Sequence, residues 1–153
     1  MKHLLIIYHS QSGKTAAMAR AIRRGATHSD IESVEVRTRM AADAGPGDLL
    51  WCDAVVFATP ENFGYMAGAM KDFFDRTFYP CQGRLEGMPF AVAVGAGNDG
   101  TGALAALRRI VRGFPMNEVQ EPIVCNGPLD GEVLSRCEAL GATMAAGLEI
   151  GVF

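Results

Sequence analysis

Three stretches of the chain are apolar almost without interruption: "HLLIIY" (3–8), "AVVFAT" (54–59) and "FAVAVGA" (90–96). A strand with one face in water alternates apolar and polar residues, so unbroken runs belong to parallel strands covered by helices on both faces. Two further segments read as strands of another kind. "IESVEVRT" (31–38) alternates Val34 and Val36 with Glu35 and Arg37, as an edge strand does. "NEVQEPIV" (117–124) carries Pro122, which has no N–H for a ladder and also belongs at an edge.

Amphipathic helices separate these strands. Met66, Met70, Phe73, Phe74 and Thr77 line one face of 65–78, while Lys71, Asp72, Asp75 and Arg76 lie elsewhere. Leu104, Leu107 and Val111 repeat the spacing in 101–112, and Val133, Cys137, Leu140, Met144 and Leu148 do so near the C-terminus. Alternating β and α segments with right-handed crossovers predict a single doubly wound α/β domain over 1–153, a three-layer sandwich. Burial then sets the strand order at 2-1-3-4-5, because the order 3-2-1-4-5 would bury the polar second strand. A ligand crevice in such a sheet opens at the carboxyl ends, between strands one and three.

The carboxyl ends of the three apolar strands each lead into small and polar residues: "HSQSGKT", "PENFGY" and "GAGNDGTG". The first has the lettering of an ATP-binding loop at Gly13-Lys14-Thr15, but that loop needs a glycine five residues earlier, where Tyr8 stands. No Asp closes strand three to manage magnesium; Asp53 precedes the strand instead. A triphosphate site and a phospho-receiver site are both excluded on these grounds. What remains is a monophosphate site. Ser10, Ser12 and Thr15 supply hydroxyls, Gly13 permits close backbone approach, Lys14 adds charge, and a helix starting near Lys14 presents unpaired N–H groups. Read alone, the loop equally fits an ordinary capping turn with Ser10 or Ser12 as N-cap; the convergence of three loops favours the phosphate.

Net charge of −3, with 14 basic and 17 acidic residues, gives no basic footprint for nucleic acid. No apolar run is long enough for a membrane span, and "MKHLLIIYHSQ" does not read as a signal peptide, so the expectation is a cytoplasmic protein. Cys52, Cys81, Cys125 and Cys137 contain no C-x-x-C pair and read as free thiols; His3, His9 and His28 are too dispersed for a metal motif.

The loops together resemble the flavodoxin-like superfamily over nearly the whole chain. "SQSGKT" is similar to the S/T-x-S/T-G-x-T loop that holds the 5′-phosphate of FMN, although Lys14 is not a usual residue there. Residues 48–77, "DLLWCDAVVFATPENFGYMAGAMKDFFDRT", are similar to the flavodoxin-fold reductases, above all the NAD(P)H-dependent FMN/quinone reductases. The resemblance implies FMN as cofactor, with Ser10, Gln11, Ser12, Gly13, Lys14 and Thr15 around its phosphate. It implies Pro60, Glu61, Asn62, Phe63, Gly64 and Tyr65 along the ribityl chain and ring edge. Ala96, Gly97, Asn98, Asp99 and Gly100 would approach the pyrimidine side. NAD(P)H would be the donor and a quinone or similar small molecule the acceptor, with the chemistry on flavin N5, no catalytic side chain and no metal. The assembly implied is a homodimer or higher homo-oligomer.

Several residues keep two readings. Phe63 or Tyr65 stacks on the flavin or anchors its loop; Asp99 accepts from a ring N–H or forms a turn with Gly100. His9 reaches the site or is satisfied by backbone, and Trp51 packs. The rival function is a flavodoxin-type electron carrier. Such carriers are strongly acidic around the flavin, whereas residues 60–79 are of mixed charge here.

Overall fold

The three apolar runs form the middle of a parallel sheet in the computed structural model, which describes residues 1–153. The strands are β1 (Lys2–Tyr8), β2 (Val34–Met40), β3 (Ala54–Asn62), β4 (Tyr65–Met66), β5 (Pro89–Ala96), β6 (Asn117–Glu118) and β7 (Ile123–Asn126). The helices are α1 (Lys14–Ala26), α2 (Pro46–Trp51), α3 (Gly68–Cys81), α4 (Thr101–Arg112) and α5 (Gly131–Glu149). The strand order is β2-β1-β3-β5, with β6 and β7 both parallel to the outer edge of β5. This is the expected flavodoxin-like order, with three local differences.

The predicted fifth strand, 117–124, is two short strands. After Val119, whose N–H still donates to the Phe90 carbonyl, the chain leaves the ladder until Ile123, and Pro122, which has no N–H to donate, lies in that gap. The third strand continues past Thr59 through Asn62, and β4 folds back against it, with Glu61 opposite Met66 and Asn62 opposite Tyr65. "PENFGY" is therefore a hairpin. For the same reason the helix expected from residue 65 begins only at Gly68, and it runs on to Cys81 with Pro80 in its last turn.

Size alternates along the central strands even though polarity does not. Leu5, Ile7, Val55, Phe57, Val92 and Val94 point to one face, where they meet Met70, Phe73, Phe74, Leu107 and Val111 of α3 and α4. Ala54, Ala58, Ala91 and Ala93 join Leu4, Ile6 and Val56 on the other, under Met18, Ile22, Cys137, Leu140, Met144 and Leu148 of α1 and α5. The alanine-rich face draws α1 and α5 in, and the two helices meet through glycine. A Cβ on Gly141 would lie 1.8 Å from the Ile22 carbonyl oxygen, and one on Gly25 would lie 1.8 Å from that of Glu138.

At the amino end of the sheet, Trp51 packs as expected. His3 stacks on it at 4.4 Å between centroids, and the Arg37 guanidinium lies 3.9 Å from the ring centre. All four cysteines are free and buried. Burial, reinforced by Asp53, pushes the Cys52 thiol up from 9.0 to about 12. Burial likewise raises Cys137 to about 11.

Two outcomes are expected. Gly141→Ala must push α1 from α5 and should cost roughly 1–3 kcal/mol, as overpacking does; urea unfolding will measure it. The raised thiols ionise first in the unfolded chain, so their contribution to stability is complete below pH 9 and lost as pH rises toward 11–12. Stability curves between pH 9 and 11 should fall less steeply for Cys137→Ala than for the wild type.

Candidate functional site

The ends of β1, β3 and β5 open into a cleft of about 310 Å³, within the size range of small-ligand sites. Gln11, Ser12 and Lys14 line it from the first loop, Pro60, Glu61 and Asn62 from the hairpin, and Gly95, Ala96 and Gly97 from the end of β5. A larger concavity of about 460 Å³ lies where the edge strand is broken, beside Arg108, Glu118 and Pro122. It is walled by the Arg108–Glu118 ion pair, at 2.8 Å, and none of the sequence candidates lines it.

Side chains tie the loops together across large sequence separations. The Lys14 ammonium donates to the Ala96 carbonyl at 3.0 Å and to that of Gly127. The Asn62 amide donates to the Gln11 side-chain carbonyl. Gly100 N–H donates to Glu61 Oε1 and Ala103 N–H to Glu61 Oε2, each at 3.3 Å. Gly127 belongs to a fourth loop, after β7, that sequence reading did not single out. Its only signal was the Asn126-Gly127-Pro128 turn, and nothing in that turn marks it as the acceptor for a lysine 113 residues away.

Helix α1 starts at Lys14 behind Gly13, whose φ of 96° is a left-handed conformation open to glycine. Neither Ser10 nor Ser12 caps it in the ordinary way; Ser10 Oγ accepts from Gly13 N–H at 3.1 Å, and no side chain caps the first turn. The N–H groups of that turn therefore have no side-chain acceptor. Thr15 is 2% exposed and sits beneath the cleft, where a Cβ on Gly95 would come 2.9 Å from its hydroxyl oxygen. The His9 main-chain N–H donates to the Ala58 carbonyl at 3.1 Å, which ties the end of β1 to β3.

Phe63 and Gly64 form the two-residue turn of the hairpin, with φ of 52° and 70°. A two-residue turn between antiparallel strands takes positive φ at both positions, which suits Asn-Gly and strains a bulky residue. Phe63 accepts that strain with its ring fully exposed, while Tyr65 is partly exposed and Met66 is buried. Beneath the turn, the Gly64 carbonyl rests on α4: a Cβ on Gly102 would lie 2.0 Å from that oxygen. Asp99 takes the turn alternative. Its Oδ1 accepts from the Thr101 hydroxyl at 2.8 Å and from Thr101 N–H at 3.1 Å, and these bonds hold its carboxyl below the ordinary 3.8. Asn98, Asp99, Gly100, Phe63, Gly64 and Tyr65 flank the cleft without lining it.

Fold and cleft together define a flavodoxin-like α/β protein with an open cleft at the switch point of its sheet. A family model described as NADPH-dependent FMN reductase matches residues 2–127, and the chain belongs to that family. It is 27% identical over 168 residues to a flavodoxin of Aquifex aeolicus, covering 99% of this chain and 90% of that protein. Among solved structures, an archaeal flavodoxin superposes with a TM-score of 0.80 at 23% identity, covering 95% of this chain and 98% of the other. A flavodoxin-class WrbA-like protein from Agrobacterium tumefaciens gives 0.74 at 20% identity, covering 95% and 96%. Residues 128–153 lie beyond the family match, although α5 completes the fold. No helix is long and apolar enough to cross a membrane, and no group of three or more His, Cys, Asp or Glu side chains is arranged for a metal.

Gly102→Ala should lift the hairpin off α4. We expect amide shifts at Phe63–Met66 in NMR spectra and a loss of roughly 1–3 kcal/mol in stability. Unmoved Phe63–Met66 amides would show that the contact does not set the hairpin's position.

Proposed function

We propose that this chain is an FMN-dependent oxidoreductase of the cytoplasm that takes electrons from NAD(P)H and gives them to a quinone or similar small acceptor. The observation that carries the reading is the start of α1, free of side-chain caps, beside a cleft at the carboxyl ends of the central strands. Donor chemistry fits the group: main-chain N–H groups, the Ser12 hydroxyl and one ammonium surround the place where a phosphate would lie. Bound FMN would supply the redox chemistry, which no side-chain set in this chain has to provide.

The chain's own part is to bind and orient. Ser10, Gln11, Ser12 and Gly13 would wrap the phosphate, with the N–H groups of Lys14 and Thr15. Two of the three Lys14 donors are already given to carbonyls, so one is left for an anion. Pro60–Tyr65 would wall the ring side, with Phe63 holding an exposed aromatic face at the tip of the hairpin. Ala96, Gly97, Asn98, Asp99 and Gly100 would offer main-chain groups to the opposite edge.

A second reading, an electron carrier, draws on the flavodoxin relative. The charge around the cleft favours the enzyme. Its two acids, Glu61 and Asp99, are both engaged at the start of α4, and Lys14 is a cation within the lining.

The purified protein should take up FMN, and Ser12→Ala should weaken uptake about tenfold or more, since a hydrogen bond to a charged group is worth about 1.5–3 kcal/mol. Fluorescence titration with FMN measures this, and equal affinity for the variant would remove Ser12 from the phosphate site. With FMN bound and a quinone in excess, NADH or NADPH should be consumed catalytically. A holoprotein that leaves both nicotinamides untouched would hand the case to the carrier.

A further inference from the structure

The starts of α1 and α4 flank the same cleft and are treated in opposite ways. At α4, Glu61 reaches from the hairpin and bridges Gly100 N–H and Ala103 N–H, while Asp99 takes Thr101 N–H. Carboxylates thus occupy three of the donors that a helix start presents to an anion. At α1 the neutral Ser10 hydroxyl takes the Gly13 N–H, and no side chain, charged or neutral, occupies the first turn. Glu61 also belongs to the strand pair that carries Phe63, so the same carboxylate joins the hairpin to α4, beside the point where the Gly64 carbonyl rests on Gly102.

The geometry points to Glu61 as a positioning and specificity residue: by bridging Gly100 and Ala103 it pins the hairpin to α4 and closes that helix start to anions, so that a ligand phosphate is accepted at α1 alone. A cleft with one open anion locus takes a ligand phosphorylated at one end and fixes which way it lies. This deepens the flavin reading and rests on it for the ligand's identity, but the closure of α4 is made by the chain's own bonds. A backbone-only role for the hairpin would need no charge at residue 61; the bridging of two helix N–H groups by one carboxylate is what assigns the charge a task.

The test uses the ¹⁵N-labelled chain of 153 residues, without flavin, titrated with inorganic phosphate. In the wild type, phosphate should shift the amides of Lys14, Thr15 and Ala16 and leave those of Gly100 and Ala103 unmoved. In Glu61→Ala, the Gly100 and Ala103 amides should exchange with solvent about tenfold faster or more and should respond to phosphate. Asp99 stays on Thr101 in every variant, so the response is read at Gly100 and Ala103. Glu61→Gln keeps an acceptor oxygen but no charge; it should retain part of the protection and gain the phosphate response, and it decides the matter if the alanine variant does not fold. FMN affinity should fall about tenfold in Glu61→Ala, a change of about 1.4 kcal/mol.

Phosphate shifts at Gly100 and Ala103 in the wild type would overturn the inference. So would their absence in both folded variants, or unchanged exchange at these amides in Glu61→Ala. A wild type that shows the expected phosphate pattern but takes up no FMN would sink the flavin reading and leave the role of Glu61 standing.

Discussion

Lys14 gives its ammonium to two main-chain carbonyls, those of Ala96 and Gly127, and so joins the start of α1 to the ends of β5 and β7. The bonds are charge-assisted and partly buried, and a lysine that makes them cannot swing freely in the cleft. Beneath that reach, residue 95 is glycine where space is short for Thr15: a Cβ there would lie 2.9 Å from the Thr15 hydroxyl, but at ordinary contact, 3.6 Å, from Lys14 Cγ and Cδ. One side chain thus ties the first loop to the end of β5 and to the turn at Gly127. With the Gln11–Asn62 and Glu61–Gly100 bonds, it makes the loops a joined rim before any ligand arrives. Binding to such a rim loses less conformational entropy than binding to free loops.

The sheet beneath makes that joining possible. Alanines at 54, 58, 91 and 93 line the face toward α1, and glycines at 25 and 141 let α1 and α5 meet backbone to backbone. The opposite face is filled by aromatic bulk, with Phe57 and Phe74 at 5.1 Å and Phe74 and Phe114 at 5.8 Å between centroids. A helix drawn close to the strands brings its first turn close to their ends. The packing of small residues in the core and the nearness of Lys14 to Ala96 are two consequences of one arrangement.

Much of this was legible in the chain. The central strands declared themselves because burial on both faces removes the polar alternation, and the edge strand around Val34 and Val36 because water on one face restores it. The strand order followed from that contrast. The hairpin was missed for a definite reason. Thr59-Pro60-Glu61-Asn62 is polar and holds a proline, so it reads as loop, yet β3 continues through it because pairing with β5 reaches Pro60 and pairing with β4 holds Glu61 and Asn62. The three convergent loops were visible, but the partners within them were not. Lys14 read as a phosphate ligand, and only tertiary structure turns it toward Ala96 and Gly127. Glu61 read as part of a wall, and only the closeness of α4 to the hairpin gives its carboxylate two amides.

The same closeness explains why a phenylalanine occupies a turn position that suits asparagine. A two-residue turn at 63–64 is imposed from both sides: Asn62 pairs with Tyr65, and Gly102 leaves space for the Gly64 carbonyl and nothing larger. The backbone there is fixed by its neighbours, so residue 63 must accept positive φ whatever its side chain. A polar residue would adopt that conformation with less strain. The exposed ring buries nothing and adds nothing to the stability of the fold; the pairing of Asn62 with Tyr65 and the seat of Gly64 on Gly102 hold residue 63 in that conformation.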